Sequence, residues 1–582
     1  MNTAEYLIKQ LEKLGVTDIF GVPGDYNFNI LYAIENFPNV RWIGCTNELN
    51  AGYAADGYAR QKGYGAIITT YGVGELSASN AIAGCFSENI PVIHVVGVPS
   101  TDILESGDLV HHTFQNNTPY AFFEAAKPIT EAAAFLNRDN AKIEIDRLLK
   151  IFVKEKRPVY IAIPADIAEA EITDKEVDYS WSSDEDMLCA VIDKIADKIN
   201  AAEKPVILAD SLIKRYGSVT EFKNFVETTG IPVTNFMMGT GIVSADYEKY
   251  LGSYFAEFGN PIAKNYLENT DCLIAVGPVY SDFNSYGMKL PYNIDSHIAI
   301  YGTYTIVNGE RFDNVKMSDV LEGIIKRISY RTFETEKPNI GYSKCAAPEG
   351  KLTSEYIYPR VQEFLQKNDV IFAEAGIIPH GFSQIKYPEG SDFNVQSLWC
   401  SIGWATPAAF GACIANKTSR IVLFTGEGAH QMSAMEIGNM LHYGVKPVVI
   451  VLNNGGYTIE RILGRNPEDE FNDIIQIDYA KFVRSFNGDV WSTRVYTQDD
   501  FDKALRVTKM MNKLCYIEAV TDNMDMPELT KKYVESAKLS KTGTAFNNSV
   551  KKVKHIVQYS DANSDNSSFG TSVHLSLSDI EG

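Results

Sequence analysis

Continuous apolar runs alternate with amphipathic stretches along most of this chain. Short apolar runs are typical of strands buried on both faces, and apolar residues spaced by three and four positions are typical of helices. Their alternation predicts an α/β fold with mostly parallel sheets. The predicted strands are residues 17–22, 66–70, 92–98, 159–163, 206–209, 231–234, 272–276, 298–301, 370–373, 421–424, 448–452 and 515–519.

Polar stretches divide the predicted strands into three sets. Residues 176–186 are acidic and serine-rich, and residues 336–352 combine glycine, proline and charged residues, so both are predicted to be linkers. After about residue 535 the chain becomes polar and of low hydrophobicity, which predicts a disordered tail. We therefore predict three doubly wound, mostly parallel-sheet domains followed by the tail, with the boundaries 1–175, 187–335, 352–535 and 536–582.

The stretch from residue 421 to residue 461 has the densest set of strand, turn and helix signals. An apolar run leads into Gly426-Glu427-Gly428, and a helical pattern follows until Gly444 and Pro447. A second apolar run then ends at Asn453-Asn454-Gly455-Gly456. This is a predicted strand–helix–strand crossover, whose loops lie where α/β sheets bind ligands. One apolar helix face is expected from Met432, Met435, Met440 and Leu441.

The two loops of this crossover carry complementary chemistry. Glycines before a helix leave backbone N–H groups free to bind a phosphate. Glu427 and Asn454 offer one carboxylate and one amide oxygen, which suits Mg²⁺ shared with a phosphate group. An ordinary nucleotide-type crossover with a chance acidic residue is the alternative. The Asn-Asn-Gly-Gly turn favours the metal–diphosphate site.

Composition and charge narrow the possible partners. The 582 residues include 53 Lys and Arg against 74 Asp and Glu, and the net charge is −21. This argues against a nucleic-acid or anionic membrane surface. The eight cysteines are scattered without a C-x-x-C pair, and no apolar run is long enough to span a membrane. These features predict a cytoplasmic protein.

Residues 47–60 (NELNAGYAADGYAR) predict a helix with a face of small residues, which suits close packing at a domain or subunit interface. Glu48 opens this helix. A carboxylate in the first turn interacts favourably with the helix dipole, and position alone favours this ordinary role for Glu48 over a functional one. His111-His112 (LVHH) likewise fits a surface turn, and Ile402 (WCSIGWATP) fits plain core packing.

Several stretches resemble one protein family, and they follow one another in the same order as in that family. The GEG turn, helix and NN turn resemble the thiamine diphosphate-binding motif, and GYTIE (456–460) resembles the pyruvate decarboxylase branch. VPGD (22–25), the 47–60 helix, ITTYGVGELSASNAIAG (68–84) and LVHH (109–112) are similar to the N-terminal domain of the 2-oxo acid decarboxylases. The resemblance runs from about residue 3 to residue 530 and implies the thiamine diphosphate-enzyme fold.

The resemblance assigns roles to individual residues. The catalytic set would be Asp25, Glu48, His111, His112 and Glu460. Glu48 would contact the pyrimidine ring across a subunit boundary, Ile402 would support the bent cofactor, and the Cys400 carbonyl would accept from the pyrimidine amino group. The other cofactor-binding residues would be Ala375, Gly376, Ile377, Gly426, Gly428, Ala429, Asn454 and Tyr457. The Mg²⁺ ligands would be Glu427, Asn454 and Gly456.

The chain departs from the family pattern at several places. Glu427 replaces an aspartate, which moves the carboxylate by about 1.5 Å, and Ala429 replaces a common serine. Ala375-Gly376-Ile377 replaces Thr-Gly-Thr, so two hydroxyl groups are absent. Ser211-Leu212 stands near the place where fungal relatives carry a regulatory cysteine. These differences leave open whether a cysteine mediates activation and whether the site is fully active.

The implied function is non-oxidative decarboxylation of a 2-oxo acid, with pyruvate first and phenylpyruvate or indolepyruvate as the broader alternative. A non-catalytic, cofactor-binding relative is the second alternative. We expect an apolar substrate pocket, with the histidine pair at one end and lined by Ala375, Ile377, Trp399, Ile402, Ile459 and Leu463. The resemblance also implies a homo-oligomer, a dimer of dimers, with active sites between subunits. The net charge and the lack of a long apolar run predict no nucleic-acid or membrane partner.

Overall fold

The structure is a computed structural model, and it describes residues 1–286, 297–328 and 330–542, with side chains described up to residue 535. Met1–Val534 form one compact unit. Three β-sheets covered by helices make up this unit. None of the helices in the described ranges has the length and hydropathy that a membrane span needs.

The first sheet is six-stranded, and all its neighbouring strands are parallel. Its strands are β1 (Asp18–Gly21), β2 (Arg41–Gly44), β3 (Gly65–Thr70), β4 (Val92–Val98), β5 (Ala132–Phe135) and β6 (Val159–Pro164). They lie in the order β2-β1-β3-β4-β6-β5. Its helices are α1 (Thr3–Lys13), α2 (Phe28–Ile34), α3 (Glu48–Lys62), α4 (Val73–Ser87), α5 (Thr101–Ser106), α6 (Ala121–Ala126), α7 (Ala141–Glu155) and α8 (Ala165–Ala168).

The second sheet is seven-stranded and mixed. Its strands are β7 (Pro205–Ala209), β8 (Val233–Asn235), β9 (Tyr250–Ser253), β10 (Cys272–Val276), β11 (Ile298–Ile300), β12 (Tyr304–Val307) and β13 (Glu310–Asp313). The order is β13-β12-β11-β10-β7-β8-β9, and only the pairs that include β12 are antiparallel within the described chain. The helices here are α9 (Glu185–Ala201), α10 (Leu212–Arg215), α11 (Val219–Thr229), α12 (Pro261–Glu268) and α13 (Met317–Ile325).

The third sheet is again six-stranded and parallel. Its strands are β14 (Val370–Ala373), β15 (Asp392–Val395), β16 (Ile421–Gly426), β17 (Val448–Asn453), β18 (Val490–Val495) and β19 (Leu514–Val520). The helices are α14 (Ser354–Phe364), α15 (Ile378–Phe382), α16 (Ala405–Ala415), α17 (Glu427–Ser433), α18 (Glu436–His442), α19 (Thr458–Leu463), α20 (Tyr479–Phe482), α21 (Gln498–Thr508) and α22 (Glu528–Thr542). Short 3₁₀ turns lie at Asp25–Asn27, Lys127–Ile129, Met237–Gly239, Ala256–Phe258, Glu470–Asn472 and Val483–Ser485.

The first and third sheets share one topology. The order β15-β14-β16-β17-β19-β18 repeats that of the first sheet, so α3 and α16 occupy equivalent places. The two helices pack with their backbones in contact. A Cβ on Gly57 would lie 1.9 Å from the Ala408 carbonyl oxygen, and one on Gly411 would lie 1.8 Å from that of Ala54. The small residues of the 47–60 helix therefore face α16 of the same chain.

Local signals at both ends fix the position of α3. The Asn47 side chain caps the helix by accepting a hydrogen bond from the Asn50 N–H at 2.8 Å. Gly63 ends the helix with φ 90°, a left-handed conformation that glycine adopts easily. These caps place Glu48 at the first position of the helix, at its N-terminus.

The predicted fold class, three α/β units built on mostly parallel sheets, is confirmed. Two local predictions are wrong. Met440 is buried, but Met432 and Met435 are exposed, because the helix after Gly428 breaks near residue 434 into α17 and α18. Residues 536–542 belong to α22 and not to a disordered segment. The rest of the predicted tail, residues 543–582, lies outside the described residues.

Candidate active site

The carboxyl ends of β14, β16 and β17 meet at one edge of the third sheet. β14 and β16 are neighbours, and the chain leaves them toward opposite sides, which is the kind of position where open α/β sheets bind ligands. Residues 375–377 follow β14, Glu427 follows β16, and Asn454 follows β17. The fold therefore brings together loops that are far apart in the sequence.

A pocket of about 210 Å³ opens between these loops. It is lined by Ala375, Gly376, Ile377, Ile378, Ile402, Gly426, Glu427, Gly428, Ala429, Leu452, Asn454, Gly456, Tyr457, Thr458, Ile459 and Glu460. A Cβ on Gly426 would have no atom within 4 Å, whereas one on Gly428 would lie 2.6 Å from the Tyr457 ring. The glycine turn thus has open space at Gly426 and packs tightly against Tyr457 at Gly428.

Three oxygen atoms of possible metal ligands converge at this pocket. The Asn454 amide can take two orientations. In one of them its oxygen lies 3.2 Å from Glu427 Oε1 and 2.9 Å from the Gly456 carbonyl oxygen. In the other, its nitrogen donates to the same two atoms. Neighbouring oxygens around an octahedral Mg²⁺, each about 2.1 Å from the ion, lie about 3 Å apart. The donor set therefore fits Mg²⁺, with the Asn454 oxygen turned toward the ion.

Glu427 is buried and anchored from the side of the Asn-Asn-Gly-Gly turn. Its Oε1 accepts a hydrogen bond from the Gly456 N–H at 2.8 Å, and the hydroxyl of Tyr479 donates to its carbonyl oxygen at 3.3 Å. Burial raises the pKa of Glu427 to about 7, against the opposing effect of nearby backbone N–H groups. The longer side chain thus already reaches the position from which it can share a cation with Asn454.

The segment from Trp399 to Trp404 carries Ile402 to the rim of the pocket. Cys400 and Gly403 both have positive φ, 53° and 93°, so the segment turns sharply twice. Buried Glu374 holds it, because Glu374 Oε2 accepts from the Gly403 N–H at 3.2 Å and the Ala405 N–H at 3.1 Å. Cys400 does not line the pocket, and the role predicted for it needs only its backbone carbonyl.

The first sheet carries a separate group of titratable side chains. His111 Nε2 lies 2.9 Å from Asp25 Oδ2, and His112 adjoins them so that one ligand atom from each residue lies within 4.8 Å of the others. A Cβ on Gly72 would lie 2.4 Å from the His112 carbonyl oxygen, and one on Gly74 would lie 3.3 Å from Glu48 Oε1. The start of α4 thus adjoins both the histidine pair and Glu48.

Apart from Cys400, the predicted site residues fall into two sets in the structure. Ala375, Gly376, Ile377, Ile402, Gly426, Glu427, Gly428, Ala429, Asn454, Gly456, Tyr457 and Glu460 line the pocket of the third sheet. Asp25, Glu48, His111 and His112 belong to the first-sheet group and do not line that pocket. Within one chain, no residue of the first sheet contributes to the pocket lining.

The predicted substrate lining matches the pocket in part. Ile459 lines it with Ala375, Ile377 and Ile402, but Trp399 and Leu463 do not. The Trp399 indole N–H donates to Asn80 Oδ1 at 2.9 Å, so this side chain points toward α4 instead. Sequence reasoning missed Thr458 and Glu374. Both directly adjoin predicted site residues, Tyr457 and Ala375, and that adjacency was the available signal.

Family models match this chain in three successive parts. Residues 1–122 match "Thiamine pyrophosphate enzyme, N-terminal TPP binding domain", and residues 192–309 match the central domain of the same enzymes. Residues 379–519 match the C-terminal TPP binding domain. Thiamine pyrophosphate is another name for thiamine diphosphate. The last match covers the metal-ligand cluster and most of the pocket.

Curated relatives match almost the whole chain. A pyruvate decarboxylase of Kluyveromyces lactis is 33% identical over 93% of this chain and 99% of its own length. Pyruvate decarboxylase isozyme 1 of Saccharomyces cerevisiae is 34% identical, over 92% of this chain and 98% of its own. A pyruvate decarboxylase of Aspergillus fumigatus is 33% identical over 92% and 97%. Such identity over nearly full length confirms the predicted resemblance, and the chain belongs to the pyruvate decarboxylase family of thiamine diphosphate-dependent enzymes.

Proposed function

We propose that this chain is a carboxy-lyase that uses thiamine diphosphate and Mg²⁺ to convert a 2-oxo acid, pyruvate first, into CO₂ and an aldehyde. The observation that carries the proposal is the convergence of the Glu427, Asn454 and Gly456 oxygens at a glycine-walled pocket. That arrangement suits a cation held jointly with a diphosphate. The relatives named above add support through their names and their full-length similarity.

The pocket of the third sheet would hold the diphosphate end of the cofactor. Backbone N–H groups around Gly426 and Gly428, next to the cation, would face the phosphate oxygens. Gly376 has φ 112° and open space around it, so the 375–377 turn can approach a ligand closely without side-chain hydroxyls. Ile402, at the rim, would support the cofactor between its two rings. When bound, the cofactor supplies the electron sink that decarboxylation requires.

Proton handling would fall to the first-sheet group together with Glu460. Asp25 and His111 lie within hydrogen-bond distance, so a proton on His111 Nε2 has an acceptor that orients the ring. Glu460 is exposed and lines the pocket of the third sheet, from which it can act on the substrate. These titratable groups favour a working enzyme over a cofactor-binding relative without turnover, because cofactor binding alone requires no proton transfer.

A second copy of the chain would complete each active site. The pocket of one chain lacks Glu48, Asp25 and both histidines. Exposed apolar residues flank both sets: Val73 and Leu76 at the start of α4, and Met432 and Met435 beyond the glycine turn. Two copies could cover these surfaces and bring Glu48 of one copy to the pocket of the other. A dimer of dimers is the assembly that we propose, in a cytoplasmic setting that suits the unpaired cysteines.

The pocket favours an alkyl group on the substrate. Ala375, Ile377 and Ile459 are apolar, and none of them can pair with a second carboxylate. The small side chain of Ala375 makes larger 2-oxo acids, such as phenylpyruvate and indolepyruvate, the second candidate substrates. The boundaries 1–175, 187–335 and 352–535 remain our proposal for the domains, since Met1–Val534 is compact as a whole.

The direct test measures CO₂ release from pyruvate by the full chain with added thiamine diphosphate and Mg²⁺. We expect turnover that a chelator abolishes and that Mg²⁺ restores. Cofactor binding measured by calorimetry should be run in parallel. Binding without CO₂ release from pyruvate, 2-oxobutanoate, phenylpyruvate or indolepyruvate would favour the non-catalytic alternative, and absence of binding would reject the proposal.

A further inference from the structure

The two asparagines at the end of β17 face different surroundings. Asn454 lies at the metal-ligand cluster. Asn453 is 3% exposed and turns into the sheet, where its Nδ2 donates to Glu518 Oε1 at 2.7 Å. Its Oδ1 accepts a hydrogen bond from the Gly455 N–H at 3.3 Å. Both ends of the Asn453 amide are therefore used within the protein, and neither faces the pocket.

Glu518 is a fully buried carboxylate at the carboxyl-terminal half of β19. The register pairs Val451 with Glu518 and Asn453 with Val520, so Asn453 and Glu518 lie on the same face of the sheet, two positions apart. Oε2 accepts from the Ala480 N–H at 3.0 Å, and Arg494 Nε lies 3.1 Å from Oε1. A buried carboxylate is costly unless it is partnered in this way.

The partners of Glu518 set the conformation of the turn that carries the metal ligands. Asn453 holds the Gly455 N–H, which fixes the turn where Gly455 has φ 80°. Gly456 follows at once, donates from its N–H to Glu427, and faces the Asn454 amide with its carbonyl. A displacement at Asn453 therefore moves the Gly456 oxygen relative to the Asn454 oxygen, and octahedral Mg²⁺ tolerates little such displacement.

We propose that Glu518 is a positioning residue of the metal site, and that it acts through Asn453 to hold Asn454 and Gly456 at the spacing that Mg²⁺ requires. The inference rests on the proposed function. In this arrangement Asn454 is a metal ligand, and Asn453 holds the turn that carries the ligands. Outer partners of metal ligands commonly contribute about 10- to 100-fold to metal affinity.

The test reverses the hydrogen bond between the two residues. In Glu518→Gln the new amide nitrogen either faces the Asn453 nitrogen or replaces the oxygen that accepts from the Ala480 N–H. In Asn453→Asp a second carboxylate lies 2.7 Å from that of Glu518. Each single variant should weaken Mg²⁺ binding by about 10- to 100-fold, as measured by calorimetry with thiamine diphosphate present. In the double variant the glutamine donates to the aspartate, which restores the hydrogen bond, whereas the contact of Arg494 with Oε1 is not restored. The affinity should therefore recover in part, to above that of both single variants.

A matched control separates metal positioning from general stability. Asp369 is also a buried carboxylate of the third sheet, paired with Arg420 at 2.6 Å, but it lies before β14, at the opposite edge from the pocket. Asp369→Asn should lower the thermal midpoint and leave the Mg²⁺ affinity unchanged. Unchanged Mg²⁺ affinity in both Glu518→Gln and Asn453→Asp would overturn the inference. It would also be overturned if every variant, Asp369→Asn included, lost Mg²⁺ affinity in proportion to the fall in its thermal midpoint. If the original chain bound neither Mg²⁺ nor the cofactor, the proposed function itself would fail.

Discussion

Two variants, each inactive alone, offer the sharpest test of a site shared between copies. Glu48→Gln removes one of the two carboxylates of the first-sheet group, and Glu427→Ala removes the carboxylate of the metal-ligand cluster. The pocket that contains Glu427 has no residue of the first sheet within the same chain. Glu48 from a second copy is therefore expected to complete it.

The expected recovery follows from counting sites. In a dimer of one chain of each kind, one site combines Glu48→Gln with Glu427→Ala, and the other combines the two intact residues. Such mixed dimers make up half of a fully exchanged equimolar mixture. About one quarter of all sites are then intact, so activity should rise to about one quarter of that of the original chain.

The assay follows CO₂ release from pyruvate after the two variants are mixed, with exchange monitored through a mass tag on one of them. Mixing either variant with buffer is the control, and it should show only residual activity. Complete exchange without recovery would refute the shared site. Full activity in a preparation shown to be monomeric would refute it as well.

Four further predictions concern the metal, the packing, a buried acid and the substrate. Glu427→Ala should abolish Mg²⁺-dependent cofactor binding in calorimetry, whereas Glu427→Asp keeps a carboxylate and should retain it. Gly411→Ala forces a Cβ to 1.8 Å from a carbonyl oxygen. The overpacking should cost about 1–3 kcal/mol in the free energy of unfolding, seen as a lower thermal midpoint, while Gly44→Ala, whose Cβ would make ordinary contacts, should change little. Burial raises the pKa of Glu374 from 4.5 to about 7, so its contribution to stability is complete below pH 4.5 and is lost as the pH rises through 7. This amounts to about 3 kcal/mol, and Glu374→Gln should flatten the difference between urea midpoints at about pH 5 and about pH 8. Comparison of kcat/KM should rank pyruvate above 2-oxobutanoate and phenylpyruvate; a strong phenylpyruvate preference would contradict our view of the pocket.

Position within each sheet determined which strands the sequence could predict. In the first and third sheets the predicted strands are the four inner ones, whereas β2, β5, β15 and β18 were missed. Those four are edge strands with one free side. Burial is sparse in β2 and β5, with one of four residues buried in each, and in β18, where only two of six residues are buried. In β15 three of four residues are buried, but its sequence DFNV includes the polar Asp392 and Asn394. Without a second neighbour, an edge strand needs no continuous apolar run, so the hydrophobic pattern could not reveal it.

The site residues were predictable where their signal is local. The glycine turn and the Asn-Asn-Gly-Gly turn are each only a few residues long. The strand–helix–strand crossover between them brings the two turns to the same edge of the sheet. The link from Asn453 to Glu518 spans 65 residues, and it depends on strand register, which no local pattern encodes. The orientation of Trp399 toward Asn80 depends likewise on the packing of the first-sheet part of the chain against the third-sheet part.

The packing of α3 on α16 bears on how the two residue sets can meet. Glu48 is the first residue of α3, so a displacement of its backbone to another part of the chain requires that helix to move. The helix is held by backbone contacts at Gly57 and Gly411, where not even a methyl group fits. A hinge motion that carried Glu48 to the pocket of its own chain would have to separate this close interface and expose its buried residues. Association with a second copy, as we propose, would leave the contact intact and would also cover the exposed Met432 and Met435. Burial of such apolar area favours association at about 25 cal/mol per Å², whereas separation of α3 from α16 loses it. Completion of the site by a second copy is thus the less costly route.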